Sequence, residues 1–182
     1  MQTKQYILCG LFAALMAIMA QISIPLPFSP VPITGQTFGV FLVGGILGSR
    51  YGAVSMLIYV FMGSVGLPVF HYAQGGLHII LGPTGGYLWG FVLGVFLLGK
   101  IVEQKNTYVF SVIAMAVCLA AIYTLGTLQL GLITGLDFFQ ALMVGVVPFI
   151  PLDLAKIFAA AGLSLAVRQQ LLKAGLLPSC GL

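Results

Sequence analysis

The sequence predicts an all-α integral membrane protein, a bundle of six transmembrane helices with both termini on the cytoplasmic side. Three observations carry that prediction. Of the residues, 60% are hydrophobic and only 5% charged, and the mean hydropathy is +1.16, more apolar surface than a water-soluble core can hide. The long apolar runs show neither strand-like alternation nor heptads, which favours spanning helices over a barrel. The basic residues fall on alternate connections between those runs, as the positive-inside rule requires. Residues 1–182 are read as one domain.

The first span covers about residues 6–24, and ~19 residues at ~1.5 Å each suffice to cross. It is not read as a signal peptide, because no small-x-small cleavage site follows it. It carries Ala13-x-x-x-Ala17, with Gly10-x-x-x-Ala14 on a neighbouring face. Small residues at this spacing let helices approach closely in lipid. Packing inside the bundle and docking of another subunit both remain open for them. Prolines 25, 27, 30 and 32 then forbid helix and favour a stiff extended loop.

A short second span starts near Gln36 and ends near Leu47, Gly48-Ser49-Arg50-Tyr51-Gly52 reads as a tight turn, and a third span continues to about Val65. Residues 66–84 form a long loop, of the kind that carries function. The fourth span covers about residues 85–101 and leaves through Glu103-Gln-Lys105-Asn. The fifth, about residues 107–130, is the longest apolar run. Residues 138–147 are apolar but too few to cross. Pro148 and Pro151 interrupt the chain there, and the last span starts at Pro151, a favoured first helical position, and runs to about Leu172.

With the N-terminus inside, Lys4, Arg50, Lys100, Lys105, Arg168 and Lys173 all fall on the cytoplasmic side. The remaining basic residue is Lys156, and it departs from the pattern. It stands about 7 Å into the last helix, near an N-terminus whose dipole favours Asp153 and disfavours a cation. An acid and a base three residues apart in an apolar run mark a candidate substrate site. Lys156 then waits for a bound carboxylate, helped by free N–H groups of the first turn, unless it merely pairs with Asp153.

The outer loops converge on the same end. Thr34, Gln36 and Thr37 offer an amide and two hydroxyls at the mouth of the second span, and Gly82-Pro-Thr84-Gly-Gly-Tyr87 offers a glycine-lined helix start with a ring for stacking. Taken singly, either stretch is also ordinary turn chemistry. His71 and His78 have no neighbouring acid or cysteine to complete a metal site and read as loop filler; no metal is expected. Cys9, Cys118 and Cys180 are far apart and odd in number, so no disulfide framework follows, and Cys180 does not fit the four-residue prenylation pattern. The scattered basic residues form no nucleic-acid patch. No Gly-x-x-x-x-Gly-Lys-Ser/Thr phosphate loop occurs.

Pro30-Val-Pro-Ile-Thr-Gly-Gln-Thr-Phe, Gly66-Leu-Pro-Val-Phe, Leu81-Gly-Pro-Thr-Gly-Gly-Tyr-Leu-Trp-Gly-Phe and Pro151-Leu-Asp-Leu-Ala-Lys together resemble the signature stretches of the BioY family. These are the biotin-specific substrate-binding (S) components of energy-coupling-factor (ECF) transporters. The resemblance covers nearly the whole chain. It implies a six-helix S-component in the bacterial plasma membrane that captures biotin from outside. Asp153, Lys156, Gln36, Thr34, Gly76, Thr84 and Tyr87 are the implied binding residues, with no cofactor of the chain's own. It further implies a transmembrane coupling (T) subunit, docked through Ala13 and Ala17, and two cytoplasmic ATPases that use the ATP. Two stretches depart from the family pattern: His71-Tyr-Ala-Gln replaces a glycine-rich run, and Leu152 replaces a glycine. The same plan also serves S-components for other small vitamins. An intramembrane enzyme with Asp153 as base and Lys156 as nucleophile lacks a third, orienting group, and a purely structural membrane partner would need neither charge.

Overall fold

The computed structural model describes residues 2–177; Cys180 lies outside them. Helix α1 (Gln2–Gln21) is apolar all round, yet only one stripe of it turns inward. Cys9, Phe12, Ala13, Met16 and Ala20 are buried, at the three- and four-residue spacing of one helical face. Ile7, Leu11 and Ile18 stay on the outside. Ala13 is fully buried and Ala17 partly so, whereas Gly10 and Ala14 are the exposed small pair. Helical register, set by where the bulky Phe12 and Met16 pack, decides which of two overlapping small-residue pairs remains accessible.

The proline segment is extended, as its composition requires, but it folds on itself. Strands β1 (Ser23–Leu26) and β2 (Ser29–Thr34) form an antiparallel ribbon, pairing Ser23 with Thr34 and Ile24 with Ile33. The register shifts between Ile24 and Leu26, where Pro25 cannot donate to the ladder. The ribbon is an exception to an otherwise helical architecture.

Helix α2 (Gln36–Ser64) contains the predicted second and third spans. Gln36 Nε2 lies 2.8 Å from Tyr59 Oη, 23 positions later, whereas an unbroken helix would hold them about 35 Å apart. The chain therefore doubles back, and it does so at one residue. Gly48 has φ 79° and ψ −169°, a backbone state open to glycine, while Ser49–Gly52 are already helical. The Glu103 carboxylate accepts from Ser49 N at 2.7 Å and Ser49 Oγ at 2.8 Å. It caps the new helix start from a distant part of the chain.

The loop after α2 is ordered by two small helical turns, at His71–Ala73 and in α3 (Leu77–Ile80). Helices α4 (Gly85–Gln104) and α5 (Tyr108–Thr134) are the most extensively packed pair. Gly86, Gly90 and Gly94 line that seam at four-residue intervals. A Cβ at Gly90 would stand 2.7 Å from Ile122 Cα, and one at Gly94 2.7 Å from Cys118 Sγ. Close approach of backbones is what drives helix association in lipid. Helix α6 (Phe138–Gly145) is short and is started by a capping box between Asp137 and Gln140. A tight turn at Val147–Phe149 leads into α7 (Ile150–Lys173), with Pro151 in its first turn.

Among the described residues, five helical segments are long and apolar enough to cross a membrane. Gly90→Leu is expected to destabilise the fold by about 1–3 kcal/mol through overpacking against α5, read as a lower unfolding temperature in detergent. Gly162→Leu, where a Cβ meets nothing within 4 Å, should leave that temperature unchanged.

Candidate functional site

Asp153 lies in the first turn of α7, where the helix dipole favours a carboxylate, and it is buried to 3% exposure. A charge so placed needs donors from every side. Thr37 Oγ1 donates to its Oδ1 at 2.8 Å, Tyr123 Oη donates to its Oδ2 at 2.8 Å, and Lys156 Nζ pairs with Oδ1 at 2.7 Å. Lys156 in turn donates to Thr34 O and Thr37 Oγ1, both at 2.8 Å. All three ammonium protons thus have partners within the protein. The partner that the helix field denies Lys156 comes from the end of β2 and the start of α2, without any ligand carboxylate.

This network forms one wall of a cavity of about 600 Å³, a volume that includes the solvent at its mouth. Thr34, Gln36, Thr84, Tyr87, Asp153 and Lys156 all line it. Five elements are brought to one place: β2, α2, the segment ahead of α4, α4 itself and α7. Gln36 is held by donation to Tyr59 Oη, which itself donates to Val69 O at 3.1 Å. Tyr87 presents its ring while its hydroxyl donates to Gly145 O at 2.8 Å. Gly76 does not line the cavity. It precedes α3 with φ 115°, and its N–H is used by Gly63 O at 2.6 Å.

Thr37, Tyr123 and His71 complete the polar lining; the sequence offered Thr37 at the mouth of the second span without counting it among the implied binding residues, and it left Tyr123 and His71 out. Thr37 had a signal, being one residue beyond Gln36 on the same helix start. Tyr123 had a weaker one, a hydroxyl in the middle of the most apolar helix. His71, read as loop filler, lines the cavity, while His78 does not. Burial pushes the His71 imidazole below its ordinary value, so it is neutral around pH 7. Among the described residues no three His, Cys, Asp or Glu side chains gather as metal ligands.

The BioY family model matches residues 1–173. This chain belongs to the BioY family. It is 42% identical over 166 residues to the biotin transporter BioY of Thermotoga maritima, covering 91% of this chain and 96% of that protein. It is 37% identical over 177 residues to the biotin transporter BioY of Rhizobium etli, covering 92% and 94%. A crystal structure of the S-component for biotin from an ECF-type ABC transporter aligns with a TM-score of 0.86 at 26% identity, covering 93% of each chain. The BioY match runs through all the helices that build the cavity. The relatives named are transporters.

Within this BioY chain the Asp153/Lys156 pair is expected to behave as a unit. Asp153→Asn or Lys156→Met alone leaves one buried charge without its counter-ion, a loss of about 3 kcal/mol. The double variant should lose clearly less than the sum. Unfolding temperatures of the four proteins in one detergent test this; additive losses would mean the charges are not coupled.

Proposed function

We propose that this chain is the S-component of an ECF-type ABC transporter, that it captures biotin from outside the cell, and that it delivers it for ATP-driven uptake by separate subunits. The single observation that carries the reading is a mostly apolar cavity, walled on one side by the Asp153, Lys156, Thr37 and Tyr123 network, in a chain of the BioY family. Biotin fits such a cavity chemically. Its ureido ring carries N–H donors, one of which suits the acceptor site left on Asp153 Oδ2, and a carbonyl for a hydroxyl or the Gln36 amide. Tyr87, Phe91 and Phe149 suit its thioether ring and aliphatic chain.

Six crossings in the bacterial plasma membrane, with both termini cytoplasmic, complete the reading. The reversal at Gly48 divides α2 into two antiparallel arms, which supplies the sixth. Arg50 and Arg168 border a second cavity together with Glu103. Twelve positions of α7, about 18 Å, separate Arg168 from Lys156, so the basic end and the cavity end lie far apart. Placing the basic end in the cytoplasm obeys the positive-inside rule and leaves the cavity open to the exterior.

A transmembrane coupling subunit and two ATPases supply the ATP chemistry. The exposed Gly10/Ala14 face of α1 is the better docking surface for the coupling subunit, because Ala13 is turned inward. Ala14→Trp is expected to abolish co-purification with that subunit while biotin binding persists. An undiminished complex would move the interface elsewhere.

Calorimetry on the purified protein should show biotin binding at micromolar ligand or tighter. Absence of heat with biotin but heat with another vitamin in a panel would reassign the substrate. Asp153→Asn/Lys156→Met should abolish binding; retained binding would favour a purely structural role for the pair.

A further inference from the structure

The ligand proposed above has two polar ends of different chemistry, a neutral ureido ring and an acid. A carboxylate entering a mostly apolar cavity needs a donor of its own, and one that carries positive charge or can acquire it serves best. Of the residues lining the cavity, only Lys156 and His71 are of that kind. Lys156 has no proton to offer, since Thr34 O, Thr37 Oγ1 and Asp153 Oδ1 take all three at 2.7–2.8 Å. A ligand carboxylate beside it would also meet the Asp153 carboxylate.

His71 stands on a different wall. It belongs to the helical turn that packs on α1, whereas α7, which carries Lys156, packs on α2 and α5. Its position is tightly built. Tyr72 and Ala73 have φ of 57° and 54°, a strained state for residues with a Cβ. That strain is held by Gln21, whose Nε2 donates to Phe70 O at 3.1 Å and whose Oε1 accepts from Ala73 N at 3.0 Å. Phe70 and Gln74 close the turn by a backbone bridge, Phe70 is fully buried against Tyr59 with ring centroids 5.5 Å apart, and the Tyr72 ring meets the imidazole edge-on at 5.2 Å. The backbone that carries His71 is thereby held at the cavity, with nothing in its own turn to satisfy the imidazole as an ion.

We infer that His71 receives the carboxylate of the ligand, forming an acid-end subsite separate from the Asp153/Lys156 network. The inference rests on the biotin reading and assigns its second pole. Burial keeps the empty imidazole neutral but leaves it one N–H donor. An arriving carboxylate favours the protonated ring and gains a charge-assisted bond.

The test compares biotin with biotinamide, which keeps the ureido ring and lacks the charge. Calorimetric titration of the purified full-length wild type, His71→Ala, His71→Arg and Lys156→Ala with both ligands separates the poles. Wild type is expected to prefer biotin by about tenfold or more, the worth of one hydrogen bond to a charged group. His71→Ala should lose that preference while binding biotinamide within about twofold of wild type, His71→Arg should restore it, and Lys156→Ala should weaken both ligands alike. A preference that survives in His71→Ala, or vanishes only in Lys156→Ala, overturns the inference. Equal losses of both ligands in His71→Ala, not recovered by His71→Arg, overturn it too. A wild type that binds both ligands equally refutes the acid-end subsite and leaves the biotin reading standing; a wild type that binds neither overturns both.

Discussion

One carboxylate sets the terms for the rest of the bundle. An ionised group at 3% exposure inside an apolar protein must collect donors or be neutralised. Asp153 collects them from three helices: Thr37 on α2, Tyr123 on α5 and Lys156 one turn along α7. Those bonds bring α2, α5 and α7 together at one end, where the cavity opens. The network that makes the charge tolerable is also the polar wall of the cavity.

The other end of the molecule repeats the logic with different parts. Glu103 caps the chain reversal at Gly48, and Arg168 donates to Gly45 O at 3.2 Å. Between the two ends charges are absent and the helices are joined by shape. Lipid gives apolar side chains no reason to prefer protein, so contact depends on close approach, and the glycine seam between α4 and α5 supplies it. Polar pinning at both ends with small-residue packing between them leaves polar groups facing open space at each end, in the Asp153 cavity and in the one bordered by Arg50, Glu103 and Arg168.

That division bears on how a ligand is taken up. The cavity is framed by short, irregular pieces: the β1/β2 ribbon, the turn at His71–Ala73, α3, and the break between α6 and α7. The long helices carry the fixed charges and, through Tyr87, Leu88, Phe91 and Ile122, much of the apolar wall, and the loops carry the rest.

Sequence by itself determined the membrane class, the position of every long helix to within a few residues, the break before α7, and the cavity end as the odd one out in charge. These are consequences of local composition, hydropathy and punctuation by glycine and proline, which are written along the chain. Six of the seven residues proposed from it for ligand binding do line one cavity. Tertiary structure alone decided the partners. Lys156 is satisfied by Thr34 and Thr37, 122 and 119 positions away, and Asp153 by Tyr123, 30 positions away; no spacing rule reaches that far. It also decided rotation: Ala13 turns inward and Ala14 outward because bulky neighbours choose the buried face, and that choice is made by packing between helices rather than by any pattern within one.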